Sequence, residues 1–241
     1  MWSRLQNKIQ ELGWADASWF IIDSLLARAS FGSVRLVKYY FMAQPVTPRS
    51  KSPVSPSKTR LYVVESANDI IRQASRPLTT IQQRFDQHAR CVLAERDGQL
   101  AGFIWLCPNR YVEDQVRCIY RWSPAQSAVW DFDVFVAPPF RMGRLFSQLW
   151  ECTHVLLQAE GIRWTLSRID AFNAGSLAAH RRLGATALAR AWFLRVGRYQ
   201  VTLSSTAPHW HLSGRDDDVP RFCFDLSQLR PAGSTVDGSM L

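Results

Sequence analysis

The sequence VWDFDVFVAPPFRMGRLFSQLWECTHVLLQAEG, residues 129–161, reads as one strand that runs into one long helix. Apolar and acidic residues alternate from Val129 to Val136, and this period of two predicts a β-strand. One face would carry Trp130, Phe132, Val134 and Val136, and the other Asp131, Asp133 and Phe135. The prolines at 138 and 139 end the strand, since proline has no N–H for a sheet ladder. Apolar residues then recur at helical spacing until Gly161.

A short basic turn joins the predicted strand to the predicted helix. It contains Arg141, Gly143 and Arg144. The N-terminus of a helix carries unpaired backbone N–H groups and a partial positive charge, and two guanidinium groups beside it add to that charge. This arrangement predicts an anion-binding site between the strand and the helix.

Two motifs resemble those of the GNAT acetyltransferase superfamily. Residues 134–146, VFVAPPFRMGRLF, resemble motif A, in which an apolar strand and V-x-P-x-x-R are followed by x-x-G-x-G/A at the start of a helix. Residues 173–185, NAGSLAAHRRLGA, are similar to motif B, N-x-x-[SA]-x-x-x-[YH]-x-x-x-G-[FA], and the two motifs follow in the family's order. The matching residues of motif A are Val136, Pro138 and Arg141.

Motif A departs from the family pattern at its glycines. The two family glycines fall on Arg144 and Phe146, and one glycine is found at Gly143 instead. Glycine lets the backbone of such a loop approach a pyrophosphate closely. The larger side chains of Arg144 and Phe146 would narrow the loop or shift its register by one residue.

The resemblance implies an α/β fold with a mixed, largely antiparallel sheet of about six or seven strands and helices on both faces. It implies an acyl-CoA, with acetyl-CoA as the first choice, as co-substrate, and no metal. The central strands would splay after the proline step and leave a slot for pantetheine. The residues that would hold the co-substrate are Phe135, Val136, Arg141, Met142, Gly143, Arg144, Leu145, Phe146, Asn173 and Ser176.

The resemblance also implies catalytic groups. A bulge in the central strand would offer a backbone N–H near Phe135 and Val136 to the thioester carbonyl. His180 occupies the motif B position that is usually a tyrosine, the proton donor to the leaving thiolate. Histidine suits that role because its ordinary pKa lies near neutrality. The alternative is that His180 packs beside the co-substrate or faces solvent without a chemical role.

Two acidic residues are candidates for the general base. Asp131 and Asp133 are predicted to share one strand face, and two like charges so close would raise one of the two pKa values. The alternative is that one or both form ion pairs with arginines on neighbouring strands, such as Arg168 or Arg195.

Composition narrows the choice of partners. The 241 residues carry a formal charge of +9, which favours anionic partners such as the phosphates of coenzyme A, an acidic membrane surface or nucleic acid. No recognised nucleic-acid-binding motif is present, which argues against nucleic acid. The five cysteines are scattered and form no C-x-x-C pair, so neither a zinc site nor a disulfide framework is expected. Unpaired cysteines are typical of a reducing compartment, and we therefore expect a cytoplasmic location.

The chain divides into four predicted parts. They are an amphipathic helical extension (1–46), a Pro/Ser-rich linker (47–60), the GNAT-like domain (61–204) and a C-terminal extension with one strand and a frayed tail (205–241). Within the domain, Asp97-Gly98 predicts a hairpin turn, and Asn173 is the expected N-cap of the motif B helix.

The N-terminal segment suggests a second partner. Residues 1–44 combine tryptophans with arginine and lysine on a strongly apolar helix, as in helices that bind an anionic membrane surface. The alternative is that the apolar face packs against the domain or a partner subunit. No run of 18 or more apolar residues is present, so no spanning helix is predicted.

The favoured function is therefore acyl-CoA-dependent N-acyl transfer to a small-molecule amine. A sugar amine or a lipid-linked intermediate at the inner membrane face is the hypothesis for the acceptor. The alternative is a non-catalytic GNAT-like module that binds a partner or senses acyl-CoA. The sequence leaves the oligomeric state open.

Overall fold

The computed structural model describes residues 2–47, 58–215 and 217–230, with the side chains of the first helix described from Asp16 onward. The helices are α1 (Trp2–Ala29), α2 (Leu78–Asp86), α3 (Leu145–Ala159) and α4 (Ala174–Arg182). The strands are β1 (Val34–Pro45), β2 (Thr59–Val64), β3 (Arg90–Arg96), β4 (Gln99–Pro108), β5 (Arg110–Val112), β6 (Ile119–Ser123), β7 (Ala128–Val136), β8 (Trp164–Asp170), β9 (Thr186–Val196), β10 (Tyr199–Ser204), β11 (Trp210–Ser213) and β12 (Arg221–Asp225).

A twisted sheet of nine strands forms the centre of the molecule. Its order is β11-β10-β9-β1-β8-β7-β4-β3-β2, and a second sheet of three strands has the order β12-β6-β5. Every neighbouring pair in the main sheet is antiparallel except β7 and β8, which run in parallel. The predicted mixed, largely antiparallel α/β sheet is confirmed, with more strands than the six or seven expected.

The main sheet is covered on both faces by apolar packing. On one face, α3 buries Leu145, Leu149 and Trp150 against side chains of β3 and β4. On the other face, aromatic rings of the small sheet pack against those of the main sheet, as where Tyr120 stacks on Trp130 at 4.3 Å between ring centroids. Each such fully buried ring contributes about 1.5–3 kcal/mol through the area that it removes from water.

The turn, the helix cap and the helix that were predicted from short sequence motifs are present at the predicted residues. The β3–β4 hairpin turns at Asp97 and Gly98, whose φ angles of 51° and 75° are those of the left-handed turn that this residue pair favours. Asn173 caps α4, because its Oδ1 accepts a hydrogen bond from the N–H of Ser176. α3 spans the residues predicted for the motif A helix.

The domain boundaries predicted at the N-terminus need correction. Strand β1 lies inside the main sheet, between β8 and β9, so residues 34–45 belong to the folded domain and not to a separate extension. α1 is joined to this strand by a buried ion pair between Asp16 and Lys38 and by a hydrogen bond from the hydroxyl of Tyr40 to Asp16. The described part of α1 therefore contacts the domain through Asp16, and its binding to a membrane surface stays a prediction.

The remaining boundaries also shift. β2 begins at Thr59, inside the predicted linker, and most of that linker lies outside the described residues. β11 joins the main sheet from within the predicted C-terminal extension, while the predicted frayed tail from residue 231 onward lies outside the described residues. Among the helices that the structure describes, none is both long and apolar enough to cross a membrane.

Candidate active site

The candidate site begins at a bulge in β7. The pairing of β7 with β4 shifts by one residue between Phe132 and Phe135, so that Ile104 faces both Asp133 and Val134. Asp133 has a φ angle of 46°, in the left-handed region that non-glycine residues seldom adopt. One extra residue on one strand is a β-bulge, which bends the strand and redirects its side chains. The structure therefore has the bulge that the resemblance implied.

The bulge inverts the predicted alternation of side chains beyond Phe132. Trp130 and Phe132 lie in one core cluster, and Phe135 packs against that same cluster. Val134 and Val136 pack against the cluster on the other face, beneath α3. The prediction that Trp130, Phe132, Val134 and Val136 share one face is wrong, because the inserted residue moves every later side chain to the opposite face.

The two candidate acids are separated by the same insertion. Asp131 lies between Trp130 and Phe132 in a regular strand and so faces the side of the sheet that α3 covers. Asp133 faces the other side, where it contacts Arg84. The predicted common face of Asp131 and Asp133 is wrong, and with it the expected mutual rise in pKa.

A slot opens between β7 and β8 directly after the last paired residues. The parallel pairing joins residues 128–130 to 164–166 and goes no further, although β7 continues to Val136 and β8 to Asp170. Beyond this point the backbone N–H and C=O groups on the facing edges of β7 and β8 are not hydrogen-bonded to each other, so an extended ligand could bind them. The predicted splay is present, but it begins at Asp131 and not after the proline step.

The loop that follows β7 fits an anionic group. After a 3₁₀ turn at Pro138–Phe140, the residues Arg141, Met142, Gly143 and Arg144 are exposed. Arg144, the N-cap of α3, makes no side-chain hydrogen bond to the first turn, which also contains no acidic residue. The N–H groups of that turn are therefore open to an anion, with the positive end of the helix dipole behind them.

The side chains that replace the family glycines do not fill this loop. Phe146 is half-buried and lies edge-on to Trp150, with 6.4 Å between ring centroids, so its ring belongs to the packing under α3. Leu145 is buried in the same cluster. Arg144 is exposed, and the Nε–H of Arg141 donates to the carbonyl oxygen of Val136 at 3.0 Å. Both guanidinium groups thus remain beside the helix N-terminus.

Asp131 has the properties of a proton acceptor near neutral pH. Its side chain is buried, and its Oδ2 has no hydrogen-bond partner in the described part of the chain. Burial raises the pKa of the Asp131 carboxyl to about 7, because a buried carboxylate loses its hydration. This residue is also the first after the β7–β8 pairing ends, which places it at the inner end of the slot.

Asp133 has the opposite character. Its carboxylate accepts hydrogen bonds from Arg76 at 2.6 and 2.9 Å and from Arg84 at 2.6 Å. Burial acts to raise the pKa of Asp133, but the hydrogen bonds and charges of Arg76 and Arg84 outweigh it and hold the pKa below its ordinary value. Asp133 therefore stays ionised at neutral pH and is a poor proton acceptor there. The alternative of pairing with arginines is observed for Asp133, with partners other than Arg168 and Arg195.

An ion-pair network continues from Asp133 across the slot. Arg84 also contacts Asp114 at 3.3 Å, and Asp114 lies 3.7 Å from Arg168 on β8. Arg168 binds the buried carboxylate of Glu113 through its Nε and a terminal nitrogen, at 2.8–3.1 Å. The network therefore bridges the two splayed strands on the face opposite α3. The sequence singled out Asp133 and Arg168 but not Arg84, Glu113 and Asp114, because the network comes from four separate segments with no shared spacing.

His180 lies in a dry environment on α4. Its side chain is buried, its Nδ1 has no hydrogen-bond partner among the described residues, and its ring is edge-on to Trp150 at 5.6 Å. Burial lowers the pKa of His180 to about 4, so the ring is neutral at physiological pH. The described part of the chain contains no group of three or more His, Cys, Asp or Glu side chains that could hold a metal ion.

A cleft of about 520 Å³ lies beside the bulge. Phe135 and Ala137 of the β7 end form one wall, and Gln73, Ser75 and Gln99 supply polar groups. Arg76 follows the cleft residue Ser75 in sequence and donates a hydrogen bond to Asp133, so this ion pair lies next to the cleft. A Cβ at Gly102 would lie 2.7 Å from the carbonyl oxygen of Phe135, so glycine is needed where β4 passes the bulge.

A mixed sheet that splays beside a bulge, followed by a basic helix N-terminus, is an α/β arrangement with room and charge for an extended anionic ligand between two strands. The model of the acetyltransferase (GNAT) family matches residues 60–185. The match covers more than half of the chain, which therefore belongs to this family. Comparison with curated proteins found no match.

Several solved structures align with part of this chain at low identity. A tandem GNAT protein from the clavulanic acid biosynthesis pathway aligns with a TM-score of 0.47 and 14% identity, over 76% of this chain and 58% of that one. GCN5-related N-acetyltransferases from Sphaerobacter thermophilus and Kribbella flavida align with TM-scores of 0.43 and 0.41 at 17% and 14% identity. They cover 71% and 72% of this chain, which spans 55% and 63% of theirs. The family assignment rests on the family model alone.

Proposed function

We propose that the protein is an acyl-CoA-dependent N-acyltransferase that uses acetyl-CoA and a small-molecule amine. The observation that carries this proposal is the slot between β7 and β8, which opens at a buried carboxyl and ends at the basic N-terminus of α3. Family membership supports the reaction class. Acetyl-CoA would supply the activated thioester, and the residues of this chain supply binding, orientation and proton transfer.

Binding of the co-substrate would use the loop and the slot together. Arg141 and Arg144, with the N–H groups of Leu145 and Phe146, would hold the phosphates. Met142 and Gly143 complete this exposed loop, and a glycine, which has no side chain, suits close approach of a phosphate. The motif B residues Asn173 and Ser176 would border the other side of the slot at the start of α4, where they are joined by the capping hydrogen bond.

Catalysis would depend on the two sides of the bulge. A backbone N–H at Phe135 or Val136 would donate to the thioester carbonyl oxygen and stabilise the charge that develops there. Asp131, with a pKa of about 7, would accept the proton of the attacking amine through the slot, since its carboxyl lies on the α3 face and the cleft beside Phe135 lies on the other. Asp133 would act by charge and position, since its pKa lies below the ordinary value. His180, whose ring is neutral at physiological pH, would pack beside the co-substrate and contribute little as a proton donor to the leaving thiolate.

The cleft beside the bulge supports a polar acceptor. The hydroxyl of Ser75 and the amide of Gln99 are neutral donors and acceptors of the kind that bind hydroxylated molecules, while the amide of Gln73 is held by the backbone of Gly98 and Leu100. The ionised Asp133 nearby would attract a cationic amine. Polar groups beside a negative charge favour an amino sugar as the acceptor. A lipid-linked amino sugar would present the same amine and hydroxyl groups at a membrane surface.

A second candidate is a non-catalytic module that senses acyl-CoA. The observation in its favour is the replacement of two family glycines by Arg144 and Phe146. Such a module would bind acyl-CoA without turnover of any amine, whereas the transferase would show both.

The test is calorimetric titration with acetyl-CoA. We expect saturable binding to the wild-type protein and at least a tenfold weaker affinity for the double variant Arg141→Ala, Arg144→Ala, equivalent to about 1.4 kcal/mol. The matched control is Arg110→Ala, Arg121→Ala, which removes two exposed arginines that face each other on the small sheet.

The control should bind as tightly as the wild type. Equal affinities for the loop variant and the control would contradict the assignment of the loop. Absence of binding to the wild type would contradict both candidate functions. Binding followed by acetylation of an amino sugar, detected as free thiol, would separate the transferase from the sensing module.

A further inference from the structure

Most of the exposed apolar side chains gather at one end of the main sheet. Of twelve large hydrophobic side chains exposed in the described part of the chain, nine lie on α1, on the turn after it, or on β9–β11. Such clustering exceeds the scattered apolar exposure that is normal for a protein surface. The six on the sheet are Val196, Tyr199, Val201, Leu203, Trp210 and Leu212.

These six side chains share one face of the sheet. Cross-strand pairs place Val196 opposite Tyr199, Val201 opposite Leu212, and Leu203 opposite Trp210, and directly paired residues point to the same face. With 70% of Trp210 and 53% of Leu203 exposed, the described helices leave this face open.

The open face lies on the same side of the sheet as α1. Leu203 is paired with Trp192, which is paired with Lys38, and Lys38 forms its ion pair with Asp16 of α1. α1 adds two further exposed apolar side chains, Ile22 and Leu25, along its free side. The apolar surface therefore extends from α1 over the outer strands.

Two adjoining turns form the rim of this surface. The N–H of Gly197 donates to the carbonyl oxygen of Ser33 at 2.9 Å and joins the α1–β1 turn to the β9–β10 turn. Phe31 is 99% exposed with a φ angle of 51°, an unfavourable conformation for an aromatic residue. On the second turn, the guanidinium group of Arg198 lies 5.0 Å from the ring centre of Tyr199. The rim therefore carries exposed aromatic rings, one of which, Tyr199, lies beside the positive charge of Arg198.

Three exposed arginines lie beside the open apolar face. Arg28 is in the last turn of α1, and Arg198 is in the β9–β10 turn. The guanidinium group of Arg190 on β9 lies 5.4 Å from the ring centre of Trp192, which shares the face with Leu203. These exposed positive charges complement an anionic partner.

We propose that this surface, formed by Phe31 and the six sheet residues with Arg28 and Arg198 beside them, is a docking site for an anionic lipid bilayer. Aromatic rings prefer the headgroup layer, aliphatic side chains the acyl boundary, and arginine the anionic headgroups. A second copy of the chain would bring two such basic rims together and cost Coulomb energy. Nucleic acid would contact the arginines and gain nothing from Leu203 or Leu212.

The experiment is co-sedimentation of the full chain with vesicles of phosphatidylcholine alone and with added phosphatidylglycerol. The variants are Phe31→Ser, Trp210→Ser and Arg198→Ser. The matched controls are Leu78→Ser and Val155→Ser, which remove apolar side chains of similar exposure, 60% and 54%, elsewhere on the molecule. Circular dichroism establishes that each variant is folded, and Phe31→Ser changes a fully exposed side chain that no core residue needs.

We expect binding to anionic vesicles only, reduced at least tenfold in each test variant and unchanged in the controls. The proposal is overturned if the wild type stays in the supernatant with anionic vesicles, if neutral vesicles bind it equally, or if controls and test variants lose binding alike. It is also overturned if light scattering shows a dimer that Trp210→Ser dissociates. Vesicle binding needs no acyl-CoA, so its outcome is independent of the proposed function.

Discussion

Asp131 and Asp133 are two residues apart on one strand, yet they lie in opposite environments. Asp131 is buried with an unpaired oxygen, and burial raises its pKa to about 7. Asp133 is held by Arg76 and Arg84, which keep its pKa below the ordinary value. The single inserted residue of the bulge separates them. A one-residue change of register can therefore give two like side chains different chemistry.

The largest expected effect comes from removing a charge on the Asp133 side. Arg84→Ala leaves Asp114 without its nearest cation and Asp133 with Arg76 alone. Breaking a buried ion pair from one side costs about 3–5 kcal/mol of unfolding free energy. Urea denaturation would measure this loss. The control Arg72→Ala removes an exposed arginine whose nearest carboxylate is 4.0 Å away. An equal loss of unfolding free energy in the control would contradict a stabilising role for the ion-pair network.

The next effect tests the Asp131 side. Asp131→Asn keeps the shape of the side chain and removes its ability to accept a proton, so we expect kcat to fall about 10²-fold or more. In the wild type, kcat/KM should rise with pH through about 7 as Asp131 loses its proton. A variant that keeps both the rate and this rise in the pH profile would exclude Asp131 as the base.

A third effect distinguishes the two acids by stability alone. The folded pKa of Asp131 is raised from its ordinary 3.8 to about 7, so between these values the folded state binds the proton that the unfolded state has lost. Stability should therefore fall by about 1.4 kcal/mol per pH unit from pH 4 to pH 7 on account of this group. Asp131→Asn should remove that slope and be the more stable protein at pH 8.

Asp133 should show the reverse dependence. Because its folded pKa is lowered, its contribution to stability is present above the ordinary pKa and is lost as pH falls through the folded value. Asp133→Asn should therefore destabilise the protein at both pH 5 and pH 8. Parallel pH profiles for the two Asn variants would show that the two environments are alike after all.

The smallest expected effect concerns His180. Its ring is neutral at physiological pH because burial lowers the pKa to about 4, and a neutral ring is a much weaker acid than an imidazolium. His180→Gln should lower kcat by about threefold or less, without a change in pH profile. His209→Gln, on an exposed histidine, is the control. A loss comparable with that of Asp131→Asn would establish His180 as the proton donor of the reaction.

Local chemistry explains which parts of the fold could be predicted. The Asp97-Gly98 turn, the Asn173 cap and the helix that starts after Arg144 each depend on residues within a few positions of one another. The place of β1 between β8 and β9 could not be predicted in this way, because its partners lie more than a hundred residues away.

The candidate site likewise contains some residues that short motifs predicted and others that only the tertiary structure brings together. Arg141 and Arg144 are beside the helix N-terminus because they adjoin it in sequence. Arg76, Arg84, Glu113 and Asp114 come from segments that carry no motif, and the structure brings them to Asp133 and Arg168.

The sequence by itself determined the strand, the basic loop and the helix of residues 129–161, and the family to which they belong, since periodicity and short motifs are local properties of the chain. The tertiary structure alone decided on which face each acid lies. Side-chain direction in a strand depends on register with its neighbour, and the bulge at Asp133 exists only in the pairing of β7 with β4. The same pairing placed Asp131 in a dry environment and Asp133 among arginines, and their pKa values differ for that reason.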